Sequence, residues 1–148
     1  MQALAARQDV VVHAYVANLR GLDNRAPNVT VHGAPLPLKP MLPDTDLLVH
    51  HGGAGAASQA LLAGVPQLMI PQMAEQFLTA RQVDAAGAGQ LLWGRLTAAD
   101  VVRSLDHALT APTLRARAQA LAQENAEFTG DNGDRAWQML QSCLVPPA

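Results

Sequence analysis

Cysteine is almost absent. Cys143 stands alone among 148 residues, so no internal disulfide can form and no Cys/His zinc spacing exists. That usage suits a reducing compartment, and a cytoplasmic chain is expected. Aromatic residues are scarce at 3%, which leaves the packing to small aliphatic side chains. A basic excess is missing as well: ten Lys and Arg against twelve Asp and Glu give a formal charge of −2 with no basic cluster. Nucleic acid is therefore not an expected partner. No apolar run approaches the roughly 20 residues that span a bilayer. Residues 1–7 lack a basic segment leading into a sustained apolar one. Neither a transmembrane segment nor a leader is expected.

What is present suits a globular domain: 49% hydrophobic and 15% charged residues exclude disorder on composition. The length fits one domain over 1–148. Short runs at 10–16, 29–32, 47–50, 67–70 and 90–92 read as strands. They are apolar almost throughout and do not alternate, which predicts a parallel sheet covered on both faces. Helices are predicted at 56–63, ended by Gly64 with Pro66 beyond, and at 75–86, ended by Gly87. The order β-β-β-α-β-α-β with short Gly/Pro connections argues for a Rossmann-like, doubly wound parallel α/β domain over 1–96. Four prolines, Pro35, Pro37, Pro40 and Pro43, predict a stiff ordered loop. The part over 97–148 reads as helical. Thr97 and Asp100 form a capping box before Val101, Leu105 and Leu109. Pro112 starts a second helix carrying Leu114, Ala118, Leu121 and Phe128, and a last helix carries Ala136, Leu140, Cys143 and Leu144.

Chemistry concentrates at 50–59. His50-His51-Gly52-Gly53-Ala54-Gly55-Ala56 follows a strand and opens a helix. Glycines let the backbone approach a ligand, and the first helical N–H groups have no intrahelical partner, so an anion is the natural occupant. His51 could add a hydrogen bond and, when protonated, a charge. The competing reading is tight strand–helix packing alone. Twenty positions on, Pro71-Gln72-Met73-Ala74-Glu75-Gln76 repeats the strand-to-helix arrangement. Ligands of open α/β sheets sit outside the carboxyl ends of strands, so both loops are expected to face one crevice. Glu75 and Gln76 suit sugar hydroxyls, although Glu75 would equally complement a helix dipole.

Taken together, these residues resemble the C-terminal, nucleotide-sugar-binding half of family 1 GT-B glycosyltransferases. The resemblance runs in order through His51-Gly52-Gly53-Ala54-Gly55, Gly64-Val65-Pro66, Pro71, Glu75-Gln76, Thr79-Ala80 and Gly87-Ala88-Gly89. The segment from Leu36 to Pro43 resembles the family's proline-rich loop upstream. The resemblance implies that His51 and the amides of Gly53, Ala54, Gly55 and Ala56 hold a diphosphate, and that Glu75 and Gln76 bind the donor sugar. It implies ribose binding by Gln59, where many members carry Glu. It also implies a base site lined by backbone groups of Pro35, Leu36, Pro37 and Leu38. Pro35 stands where plant members place a stacking Trp, Ala56 where a hydroxyl residue is common, and Thr79 where Asn is usual. The pocket is thus expected to be divergent.

The implied activity is transfer of a hexose from a UDP- or TDP-sugar to an acceptor hydroxyl with inversion. No cofactor and no metal are implied, and no D-x-D pair is read as a divalent-ion carrier. The catalytic base and the acceptor site are expected outside these residues, in an acceptor domain or a separate acceptor chain. His13 and His32 are expected in the core or at its rim, and His107 in solvent. Residues 1–7 resemble the tail of the family's first helix, which implies a truncated sheet lacking its first strand. Three consequences are open: a fragment unstable alone, a sheet completed by another chain, or re-pairing of 10–16 beside 47–50. Two alternatives to an enzyme half remain: a non-catalytic nucleotide-binding subunit of a split glycosyltransferase, and a dinucleotide-dependent oxidoreductase fragment. The latter would rest on Gly53-x-Gly55-x-x-Ser58 with Glu75 downstream, a weak match.

Overall fold

The computed structural model describes residues 9–17 and 26–128. The expected tail of a first helix at 1–7 and the expected last helix around Leu140 lie outside them. Five short strands form two parallel sheets. β1 (Val12–Ala14) pairs with β2 (Val29–Val31), and β3 (Leu48–His50), β4 (Gln67–Met69) and β5 (Gly89–Leu91) follow in sheet order. Each falls within one residue of its predicted segment or inside it. Among the described residues β1 forms no ladder with β3, so re-pairing of 10–16 beside 47–50, one of the three open consequences, does not occur. Among the described residues the two sheets, β1-β2 and β3-β4-β5, share no ladder.

Five α-helices stand among the described residues. They are α1 (Leu38–Met41), α2 (Ala54–Ala63), α3 (Ala74–Ala85), α4 (Ala98–Thr110) and α5 (Pro112–Glu124). The proline-rich segment is not wholly irregular. α1 and a 3₁₀ turn at Leu42–Asp44 run through it, with Pro40 inside the first turn of α1 and Pro43 in the first turn of the 3₁₀ helix. A first-turn N–H is unpaired in any helix, so proline removes nothing there. Phe128, expected on α5, lies instead in a 3₁₀ turn at Ala126–Phe128, because the helix has ended at Glu124.

The core is built from small side chains. Ala57, Ala80, Ala88 and Ala118 surround Met69 and Val83, and Leu61, Leu91 and Leu121 pack against them. A second cluster joins Leu42, Ala60 and Val65 to Leu38 and Leu48. Central β4 is buried at every position, as a strand covered on both faces must be. The edges depart from that expectation: Val49 of β3 is 45% exposed and His13 of β1 also faces solvent. Gly64 ends α2 in the left-handed region at φ 69°. Its missing side chain matters too, since a Cβ there would stand 3.2 Å from the Gln119 backbone of α5. On α4, Thr97 and Asp100 form the predicted capping box, with Leu105 and Ala108 buried beneath.

Candidate functional site

The carboxyl ends of β3 and β4 carry the two loops that the sequence singles out. After His50 the chain turns through Gly52 at φ 87°, and Gly53 becomes the N-cap of α2 in an extended conformation. No side chain caps this helix. Its ladder opens with Ala57 N–H donating to the Gly53 carbonyl at 3.0 Å, which leaves the amides of Ala54, Gly55 and Ala56 without intrahelical partners. Ala54 and Gly55 are exposed, and a Cβ on Gly55 would meet nothing within 4 Å. The mouth is therefore open, partly positive and lined with donors. His51 is exposed, and its ring folds over Gly53: Nε2 stands 2.8 Å from where a Gly53 Cβ would be.

The second loop touches the first. A Cβ on Gly52 would stand 2.8 Å from the Gln76 carbonyl and 3.4 Å from the Ala80 Cβ. Only a glycine lets the backbone lie against the first turn of α3 this closely. Glu75 and Gln76 are thereby brought beside the glycine loop. Glu75 is exposed. Gln76 bends back so that its Oε1 accepts from the Gln72 N–H at 2.9 Å, leaving its NH₂ to donate elsewhere. Thr79 is engaged locally, its hydroxyl donating to the Glu75 carbonyl at 3.3 Å.

The remaining expected positions differ in character. Gln59 is exposed and donates its amide to the Gly55 carbonyl one turn back at 3.3 Å, so its oxygen is left to accept. Pro35 and Pro37 are exposed, Leu36 is half-buried, and Leu38 packs into the second core cluster. Leu38 has only its backbone to offer a ligand. His13 and His32 lie at the rim of the small sheet, with Nδ1 and Nε2 3.1 Å apart, and His107 is exposed.

Asp44-Thr45-Asp46 spells D-x-D. The two carboxylates precede β3, at the end of that strand away from the mouth, and Asp46 is paired with Arg115 of α5 at 2.7 Å. Their place, rather than their spelling, separates them from the crevice.

Behind the mouth lies a feature that no motif announces. A groove of about 540 Å³ runs between α2, α3 and the end of α5, over Ala57, Leu61, Val83 and Leu121, with Ser58 and Thr79 among its polar lining. His50 is also more than the strand residue it resembles in sequence: its ring bonds to Gln67 Oε1 and to the Gly52 N–H. Periodicity carries no signal for either.

Parallel strands, a glycine loop at a helix mouth and a second strand-to-helix loop beside it define the C-terminal, Rossmann-like half of a GT-B glycosyltransferase. The chain belongs to the erythromycin biosynthesis protein CIII-like C-terminal domain family, whose match spans residues 1–129. It is 41% identical over 115 residues to demethyllactenocin mycarosyltransferase of Streptomyces fradiae, covering 76% of this chain and 24% of that one. Its identity to L-demethylnoviosyl transferase of Streptomyces niveus is 39% over 88 residues, covering 60% and 23%. Spinosyn rhamnosyltransferase SpnG complexed with thymidine diphosphate matches with a TM-score of 0.71 at 28% identity, over 85% of this chain and 35% of that chain. The glycotransferase of kitacinnamycin shares the fold at a TM-score of 0.82, over 97% of this chain and 38% of that one, at 24% identity. The chain spans about a quarter of the length of these curated relatives, 24% and 23%. The oxidoreductase alternative falls with this membership. Its geometry fails as well, since Glu75 lies in the first turn of α3, not at a strand tip.

No helix among the described residues is long and apolar enough to cross a membrane.

Proposed function

We propose that the crevice between the β3–α2 and β4–α3 loops binds a nucleotide-sugar donor, UDP- or TDP-linked. In this reading the diphosphate sits at the mouth of α2 on the amides of Gly53, Ala54, Gly55 and Ala56, with His51 donating from the side. Glu75 accepts from sugar hydroxyls, and Gln76 donates through its NH₂. Gln59 accepts from the ribose, and the backbone of Pro35, Leu36, Pro37 and Leu38 borders the base. The observation that carries this reading is the close approach of Gly52 to the Gln76 carbonyl, which supports one shared opening for the α2 mouth and the Glu75–Gln76 pair.

The reaction assigned to the complete protein is hexose transfer with inversion. An acceptor oxygen bonds to the anomeric carbon, the bond from that carbon to the diphosphate oxygen breaks, and the acceptor proton passes to a base outside the described residues. This half contributes by stabilising negative charge on the departing diphosphate, through the α2 dipole, the backbone amides and His51. An acceptor domain or acceptor chain is the implied partner. Met73, 58% exposed next to the α3 mouth, offers it an apolar lip. A cytoplasmic location is part of this proposal, and the single cysteine, Cys143, supports it.

Titration with UDP, TDP and NAD followed by amide NMR tests the reading. Expected are shifts at residues 51–56 with UDP or TDP that weaken in His51→Ala. Shifts with NAD alone, or an unperturbed mouth at millimolar UDP and TDP, would refute it.

A further inference from the structure

Behind the glycine loop, groups from three segments form one directional hydrogen-bond chain. Gln67, fully buried at the start of β4, donates its Nε2 to the Ala57 carbonyl in the first turn of α2 at 3.2 Å. A carbonyl only accepts, and the flipped amide would set two oxygens face to face. Gln67 Oε1 therefore points at His50 Nε2, 2.9 Å away, and must accept from it. The ring proton sits on Nε2, and Nδ1 is left as the acceptor that takes the Gly52 N–H at 3.2 Å. One buried amide thus sets the tautomer of His50, and His50 sets where the Gly52 amide points. Both walls of the mouth, the glycine loop and the first turn of α2, are tied to the same strand.

We propose that His50 and Gln67 are positioning residues that hold the Gly52 amide and the α2 mouth in the arrangement that receives a diphosphate, and that protonation of His50 releases this arrangement. The inference rests on the donor-site reading above. Protonation at Nδ1 removes the acceptor and sets one N–H against another, so the bond to Gly52 breaks.

Burial holds the His50 pKa below the ordinary histidine value; the Gln67 bond opposes this, and the charge of His51 lowers it further. Among the described residues, His51 on the adjoining loop, with its ring edge-on at 6.4 Å, is the ionisable group whose charge acts on His50, while β4 presents only neutral Gln67. Since the pKa is depressed in the fold, the stabilisation is complete above the unfolded histidine value. It is lost as pH falls through the lowered one.

Two measurements on the chain test this. Long-range ¹H–¹⁵N spectra of the wild type are expected to show His50 in its Nε2–H form at neutral pH, with the Gly52 amide shifting as His50 protonates. UDP and TDP affinities are then compared across acidic to neutral pH for wild type and His50→Asn. The asparagine oxygen can stand near the Nδ1 position and accept from Gly52, and it does not titrate. The variant keeps an acceptor for Gly52 but leaves Gln67 Oε1 without its donor, so it is expected to bind more weakly than wild type at neutral pH and to lack the roughly tenfold acid weakening of the wild type. His51 is present in both proteins, so the difference between the two profiles reports on His50. A His50 in the Nδ1–H form, or superimposable pH profiles, overturns the inference and leaves the donor site standing. Absence of any UDP or TDP binding by the wild type overturns both.

Discussion

Gly52→Ala probes the contact on which the crevice depends. Gly52 sits at φ 87°, where a residue with a Cβ loses about 1–2 kcal/mol. The added methyl would stand 2.8 Å from the Gln76 carbonyl, a backbone atom held within the first turn of α3. No side-chain rotation relieves that clash, and overpacking of this kind costs about 1–3 kcal/mol. The two terms act on the same residue and give about 2–5 kcal/mol, against a total stability of about 5–15 kcal/mol for a domain. Urea unfolding should show the midpoint falling by about 1–3 M.

The control is Gly55→Ala. That position lies inside α2 with open space around it, and alanine there gains about 0.5–1 kcal/mol of helix propensity. Gly55→Ala is expected to be at least as stable as wild type, yet to bind UDP or TDP more weakly because its methyl stands at the donor-lined mouth. A Gly52→Ala protein within about 0.5 kcal/mol of wild type would show that the two loops do not touch as described.

Four further outcomes follow from the geometry. His51→Ala should leave unfolding unchanged, because the side chain is exposed, and weaken UDP or TDP binding by about tenfold or more in calorimetry, the loss of one charge-assisted bond. Gly89→Ala should destabilise by about 1–3 kcal/mol in urea, since a Cβ would stand 2.8 Å from the Met69 methyl and 2.9 Å from the Gln67 carbonyl. Thr97→Ala removes the N-cap of α4 and should cost about 1 kcal/mol by thermal or urea unfolding. The same cap has a pH signature. Hydrogen bonds from Thr97 and the charge of Arg103 hold the Asp100 pKa below its ordinary value. Its contribution is therefore complete above that value and lost as pH falls through the lowered one. Wild type should accordingly lose more stability than Asp100→Asn on acidification in that range.

Much of the fold was legible because its signals are local. The β-branched runs mark strands, Gly64 and Gly87 mark helix exits, and Thr97 with Asp100 marks a helix entry; each depends on the conformational preferences of a few adjacent residues. The same holds for the glycine loop and for Glu75-Gln76, where residue type and spacing point to a helix mouth and a polar pair. Local rules also misled. Proline density suggested a loop at 35–43, yet Pro40 and Pro43 occupy first turns, where a missing N–H costs nothing.

The amino-acid order alone determined the strand and helix menu, the parallel α/β class and the two segments rich in ligand-type chemistry, since backbone preference and hydrophobic period act over a handful of residues. Only the tertiary structure decided that Gly52 lies against the Gln76 carbonyl, that Gln67 orients His50, that Leu38 turns into the core and that β1 does not pair with β3. Those outcomes depend on register and close packing between segments distant along the chain. Ångström-scale contacts of that kind leave no trace in any local pattern.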